Sequence, residues 1–281
     1  MTKNGRSLLE IILIDYRWVF VCFFLLPISF LYNFFYYARN VIVFRLNTAP
    51  KKHDNKVKNI QRQVQEWRKS GMKTKMCTAR PGWQMMSFRR PLYKNYFTQI
   101  DCNLIDILEV DVSRRVIRVE PMVNMGQISA TLAKLGWTIA IVPELDDLTV
   151  GGLVMGTGIE SSSHLYGLFQ HICVSYELVL ADGSAIKCSK DENSELFYAV
   201  PWSYGTLGFL TAVEIKIIPA SKYIRLKYEP VRGLKSLCQQ FDKAASNKNN
   251  CFVEALQFST DEAVIMTGVK VNDDEVEHNK V

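Results

Sequence analysis

The chain has 281 residues, 48% of them hydrophobic and 22% charged, with a net charge of +6. That length suffices for a sizeable core in one or two domains, and the mild, dispersed basic charge, without a zinc-finger, homeodomain or RNP signature, argues against a nucleic-acid binder. Seven cysteines, an odd number with no C-x-x-C pair, argue against a disulfide framework or structural zinc and for a reducing compartment, and the four histidines lack metal-ligand spacing, so no metal site is expected.

After an N-terminal segment, residues 1–17, the stretch 18–38 reads WVFVCFFLLPISFLYNFFYYA and carries no charge over 21 residues. At 1.5 Å per residue this crosses a hydrocarbon core. Arg17 and Arg39 bracket it, and Trp18, Tyr32, Tyr36 and Tyr37 lie toward its ends, as interfacial aromatics do. The run is too long for a signal-peptide core and no small-x-small cleavage site follows. A transmembrane anchor is therefore expected, bent at Pro27. Lys3, Arg6 and Arg17 precede the run, whereas Arg39, Arg45, Lys51, Lys52, Lys56 and Lys58 follow it. This excess places the bulk of the chain in the cytosol.

Beyond the anchor, Asp54 to Gly71 reads as an amphipathic helix capped by Asp54, with Val57, Ile60, Val64 and Trp67 on one face. TKMCTARPGW (74–83) reads as an extended piece ending in a turn at Pro81-Gly82. SFRRPLYKNYF (87–97) is basic and aromatic and reads as a solvated surface segment. IDILEVDV and RVIRVEPM alternate as two half-buried strands. Residues 124–137 have helical spacing at Ile128, Leu132 and Leu135, ending near Gly136. YELVLADGSAIKCS (176–189) is a hairpin turning at Asp182-Gly183, and TAVEIKIIP (211–219) another strand. YIRLKYEPV and CFVEALQF look strand-like, and the polar tail from Val271 looks frayed. Hairpins interspersed with helices, without a βαβ rhythm, indicate an α+β fold.

Residues 143–167, PELDDLTVGGLVMGTGIESSSHLYG, concentrate five of the chain's fifteen glycines: Gly151, Gly152, Gly156, Gly158 and Gly167. Backbone without side chains can turn several N–H groups onto one anion, and a diphosphate is the usual ligand of such a nest. Thr149, Thr157 and Ser161 are candidate hydroxyl donors. A flexible surface loop or a tightly packed turn is the structural alternative, though Gly-Gly followed by apolar LVM makes a poor flexible linker. A Rossmann reading fails, because Ser161 stands where the third glycine belongs and Gly151-Gly152 interrupts the preceding strand. A P-loop fails for want of its lysine.

TVGGLVMGTGIES, followed after a hairpin by LFYAVPWSYGTLGFLTAVEIKI, resembles the FAD-binding PCMH-type flavoprotein family of vanillyl-alcohol oxidase. Within it, PELDDLTVGG, GIESSSHLYGLFQHIC and ENSELFYAVPWSYGTLGF resemble a sterol-reducing branch. The resemblance implies an α+β, two-subdomain FAD-binding domain over 44–220, preceded by the 18–38 helix, and an incomplete start of a cap domain over 221–281, so that the chain looks C-terminally truncated. It implies that Thr149, Val150, Gly151, Gly152, Leu153, Val154, Met155, Gly156, Thr157, Gly158, Ile159, Glu160 and Ser161 line FAD. Gly205, Thr206, Leu207 and Gly208 would bring a second backbone segment near the flavin, and Arg80 to Trp83 would stand in the first phosphate-side loop. CTARPGW holds no histidine, so non-covalent FAD is expected. The resemblance further implies NADPH as reductant, a sterol substrate reduced at its C24=C25 side-chain bond, and an endoplasmic reticulum membrane location. Such an alkene needs a general acid, an apolar slot and exclusion of water. No residue is singled out as that acid, and His164 and His171 read first as structural. A flavin- or partner-binding protein without turnover is the alternative reading.

Overall fold

The computed structural model of the chain describes residue 10, residues 14–79 and residues 92–271. The Pro81-Gly82 turn, the Arg80 to Trp83 loop, residues 87–91 of the basic segment and the tail beyond Val271 fall outside them. Two compact units meet in sequence between Thr48 and Ala49.

Within the first unit, among the described residues, lies a helix, α1 (Arg17–Asn47), long and apolar enough to cross a membrane. It runs nine residues past the expected end of the apolar stretch, carrying Arg39 and Arg45 on its last turns. Pro27 sits in the first turn of the α-helical part, Leu26–Asn47, which follows a π-helical turn over Val21–Leu25. A ring nitrogen has no hydrogen to give, so a widened turn just before it is where the ladder relaxes.

The second unit opens with α2 (His53–Lys69), which buries Ile60 and Val64. Lys52 occupies its capping position; Asp54, expected as the cap, sits in the first turn instead, where its charge faces the positive end of the helix. Gly71, at a φ of 86°, follows the last turn as the sequence indicates. Strands β1 (Met76–Thr78) and β2 (Thr98–Ile100) pair in parallel. Ile60 and Val64 pack with Ile100, Leu104 and Val179 in a small core of their own.

A larger antiparallel sheet follows. It contains β3 (Ile107–Asp111), β4 (Val116–Val119), β5 (Trp137–Ile139), β6 (Cys173–Val179), β7 (Ala185–Ser189) and β8 (Phe209–Pro219). The order is β3-β4-β8-β6-β7, with β5 pairing the far end of β8. β8 is thus the central strand, and it is buried along most of its length. Its core cluster joins Ile117, Tyr176, Leu178, Val213 and Ile215 to Ile128, Leu132, Leu153, Val154 and Phe169. Ile128 and Leu132 lie on α3 (Met125–Ala133), started by a capping box between Asn124 and Gln127. Three short helices complete this part: α4 (Val150–Met155), α5 (Ser163–Tyr166) and α6 (Ser194–Ala199).

A buried charged network fixes the start of α2. Lys56 Nζ lies 2.6 Å from Asp106 Oδ2 and 2.9 Å from Glu120 Oε2. His53 Nδ1 lies 2.8 Å from Glu120 Oε1, and the backbone N–H of Asp106 donates to Glu120 Oε2 at 2.8 Å.

The remaining strands form a separate antiparallel sheet. β10 (Phe252–Gln257) and β9 (Tyr223–Arg232) flank β11 (Glu262–Val271), and α7 (Leu234–Ser246) packs on it. The mixed content is the α+β class the sequence indicates.

Candidate functional site

The glycine-rich stretch begins with Thr149, in extended backbone, whose Oγ1 accepts from the Gly152 N–H at 3.3 Å. A single turn and a half, α4, follows and buries Val150, Leu153 and Val154. The chain is moored to the segment before α3: Val150 N–H donates to Val123 O and Gly151 N–H to Pro121 O, at 2.9 and 2.7 Å. At Gly156 a Cβ would lie 2.9 Å from the Gly152 carbonyl, closer than a real Cβ approaches backbone. Part of the glycine content therefore serves close packing of the chain on itself, the structural alternative raised by the sequence.

The exposed end of the stretch behaves differently. Among the described residues, the N–H groups of Thr157, Gly158 and Ile159 donate to no protein acceptor. Thr157 and Ile159 are exposed, and Gly158 is buried between them. Three consecutive unpaired donors, two of them at the surface, suit a diphosphate. The residues present thus fit the group the sequence implies.

Gln170 holds this geometry in place, and sequence reasoning gave it no role. It is buried, and its side-chain amide donates to the carbonyls of Leu153, Val154 and Gly156 at 3.0, 3.3 and 2.9 Å. These are carbonyls that the short α4 leaves without helical partners. Only the tertiary fold brings Gln170 back to them.

The second expected segment also arrives here. Trp202 N–H donates to Val154 O at 3.3 Å, and Ser203 Oγ lies 3.2 Å from Met155 Sδ. Residues 205–208 follow directly. Gly205, Thr206 and Leu207 are exposed, while Gly208 is pressed on β6, where a Cβ would stand 2.7 Å from the Val179 carbonyl. Trp202 and Ser203, just before the second expected segment, thus meet α4, whereas Gly208 packs on β6.

The stretch ends against the three-stranded sheet. Val253 N–H donates to Ser161 O at 2.8 Å, and His164 Nε2 meets Asn250 O at 2.8 Å. Beside them opens a small cleft of about 80 Å³, lined by Thr138, Ala140, Glu160, Tyr166, Phe252 and Lys270 among others. Burial pushes the Glu160 carboxyl above its ordinary range, with the charges of Glu144 and Glu254 adding to it and the Glu144 N–H opposing. His171 Nδ1 accepts from the Leu168 N–H at 2.8 Å. Both histidines of this region therefore have backbone partners.

Residues 61–189 match the family model of an FAD binding domain. The chain is 59% identical to the delta(24)-sterol reductase of Homo sapiens over 273 residues, 97% of this chain and 52% of the relative. It is 59% identical to that of Mus musculus over 94% of the chain and 51% of the relative. It is 42% identical to that of Pisum sativum over 91% of the chain and 47% of the relative. The chain spans about half the length of the curated relatives it matches.

Proposed function

We propose, from the premise that the chain belongs to the FAD-binding PCMH-type flavoprotein family, that it holds FAD non-covalently and acts as an NADPH-dependent delta(24)-sterol reductase. Its reaction is saturation of the C24=C25 side-chain bond of a sterol, of the desmosterol-to-cholesterol kind. The observation that carries this reading is 59% identity to a delta(24)-sterol reductase across 97% of the chain.

The chemistry supplied by FAD when bound is two-electron reduction at the hydride level, which side chains cannot perform. The chain's own residues bind and orient. Thr157, Gly158 and Ile159 offer backbone donors to the diphosphate, and the rest of Thr149 to Ser161 carries them on a short helix fixed by Gln170. Trp202 and Ser203 fasten to the same helix the loop that leads into Gly205 to Gly208. α1 keeps the protein at the bilayer, where an apolar substrate concentrates. The charge excess after α1 supports a domain facing the cytosol, and the sterol chemistry supports the endoplasmic reticulum membrane.

A second reading rests on the family model alone, which matches an FAD binding domain over residues 61–189: a flavin-binding protein without turnover. One experiment separates the two. The purified chain, in detergent, is loaded with FAD and its visible spectrum recorded. Anaerobic NADPH is then added, followed by desmosterol. Bleaching by NADPH and recovery of absorbance with the sterol are expected for the reductase. A stable yellow protein inert to both supports the second reading, and a folded chain that takes up no FAD removes both.

A further inference from the structure

The loop over 201–207, between α6 and β8, holds two aromatic residues in backbone that aromatic side chains rarely adopt. Trp202 has a φ of 59° and Tyr204 a φ of 52°, with Gly205 at 75° beside them. For bulky residues a left-handed conformation is a true outlier, and it persists only where the surroundings impose it. The surroundings here do. Trp202 N–H is bound to Val154 O, Ser203 Oγ contacts Met155 Sδ, and Thr206 returns both its N–H and its hydroxyl to Ser203 O, at 3.0 and 2.7 Å.

Such strain would be intelligible if it buried the rings, but it does the reverse. Trp202 is 45% exposed and Tyr204 82%. His171 meets the indole edge-to-face, at 6.4 Å between ring centres. Scattered exposed aromatics need no explanation. Two of them fixed within three residues, on a loop hydrogen-bonded to the helix just before the free donors of 157–159, do. Rigid aromatic rings with open faces lose little entropy when a flat ligand stacks on them.

We propose that Trp202 and Tyr204 form a stacking platform for a planar heteroaromatic ring of a dinucleotide held at the adjoining glycine-rich segment. The inference rests on the flavin reading above. The ring belongs to FAD or to the nicotinamide nucleotide, which share this chemistry.

Two titrations tell them apart: apo-protein with FAD, followed by flavin fluorescence, and FAD-loaded protein with NADP⁺, a probe that cannot reduce the flavin, followed by calorimetry. Asparagine tolerates left-handed backbone, so Trp202→Asn with Tyr204→Asn removes the rings without adding strain. In one arm this pair weakens binding roughly tenfold or more, the usual scale for loss of a stacked base, whereas Trp202→Phe with Tyr204→Phe stays within about threefold. Loss with FAD assigns the ring to the flavin nucleotide, and loss with NADP⁺ alone assigns it to the nicotinamide nucleotide. Bound ligand also quenches, in the wild type, the emission component that Trp202→Phe lacks, a reading independent of whether the asparagine variants fold. Tight FAD binding by the wild type with no such quenching, or equal losses in the phenylalanine and asparagine pairs, overturns the platform and leaves the flavin reading standing. A folded wild type that takes up no FAD overturns both.

Discussion

Glu160 lies at the junction of the glycine-rich stretch and the cleft, and its carboxyl is held above the ordinary carboxylate range chiefly by burial. A carboxyl whose folded-state affinity for a proton exceeds its unfolded one favours folding while protonated. That contribution is complete below the unfolded value and is lost as pH rises through the folded one. At neutral pH the wild type therefore carries an unfavourable charge that a neutral side chain of the same shape would not. Glu160→Gln is expected to raise the melting temperature of the flavin-free protein at pH 7. The gain should shrink toward zero as the pH is lowered to about 4, near and below the reference value for glutamate. Calorimetry across that range is the check, and a difference that does not vary with pH would refute the assignment of charge as its cause.

At the scale of elements, α2 depends on charges that come from far along the chain. Lys56 Nζ is shared by Asp106 and Glu120, whose side chains are 1% and 0% exposed. Removing one partner from such a pair strands the others without solvent and typically costs about 3–5 kcal/mol. Lys56→Met is therefore expected to lower the melting temperature by roughly 6–20 °C, at about 2–4 °C per kcal/mol for a domain of this size. Adding Glu120→Gln should recover part of that loss, and a Lys56→Met protein that melts like the wild type would show the network to be idle. None of this was legible in the sequence, because partners fifty or more positions apart leave no periodic trace. The β6–β7 hairpin was legible: Asp182-Gly183 fixes the turn, and Gly183 has the positive φ of 85° that the turn needs. The strands β3, β4 and β8 were also legible from alternation, whereas the parallel pairing of β1 with β2 was not, since three-residue strands are too short to show a pattern. The same divide runs through the candidate site. Its glycines announce themselves by composition, but Gln170, which ties down the carbonyls of α4, is one glutamine in an ordinary apolar segment. Only contact in space distinguishes it.

For the whole molecule, the division between Thr48 and Ala49 sets a helix long and apolar enough to cross a membrane apart from the unit that follows it. Phe30, Phe34, Phe35 and Tyr37 on α1 are each at least 65% exposed, an arrangement that water penalises and hydrocarbon does not. At 1.5 Å per residue, 31 helical residues are longer than a hydrocarbon core of about 30 Å, so under the proposed anchoring Arg39 and Arg45 would emerge into the headgroup layer on the side where the lysines follow. The second unit has its own cores and begins at once, with the Ala49 N–H donating to Asp106 Oδ2 at 2.8 Å. A chain starting at Ala49 should therefore stay in the supernatant after alkaline extraction of membranes, while the full chain stays in the pellet. In sealed microsomes, protease added from outside should digest everything from Ala49 onward and spare α1. Protection of that unit would invert the topology and place the glycine-rich segment in the lumen. Cytosolic NADPH would then be on the wrong side of the membrane, and the proposed reductase would lose its electron source even if the segment still held FAD. The charge asymmetry that orients a single helix is thus also a condition for the proposed chemistry.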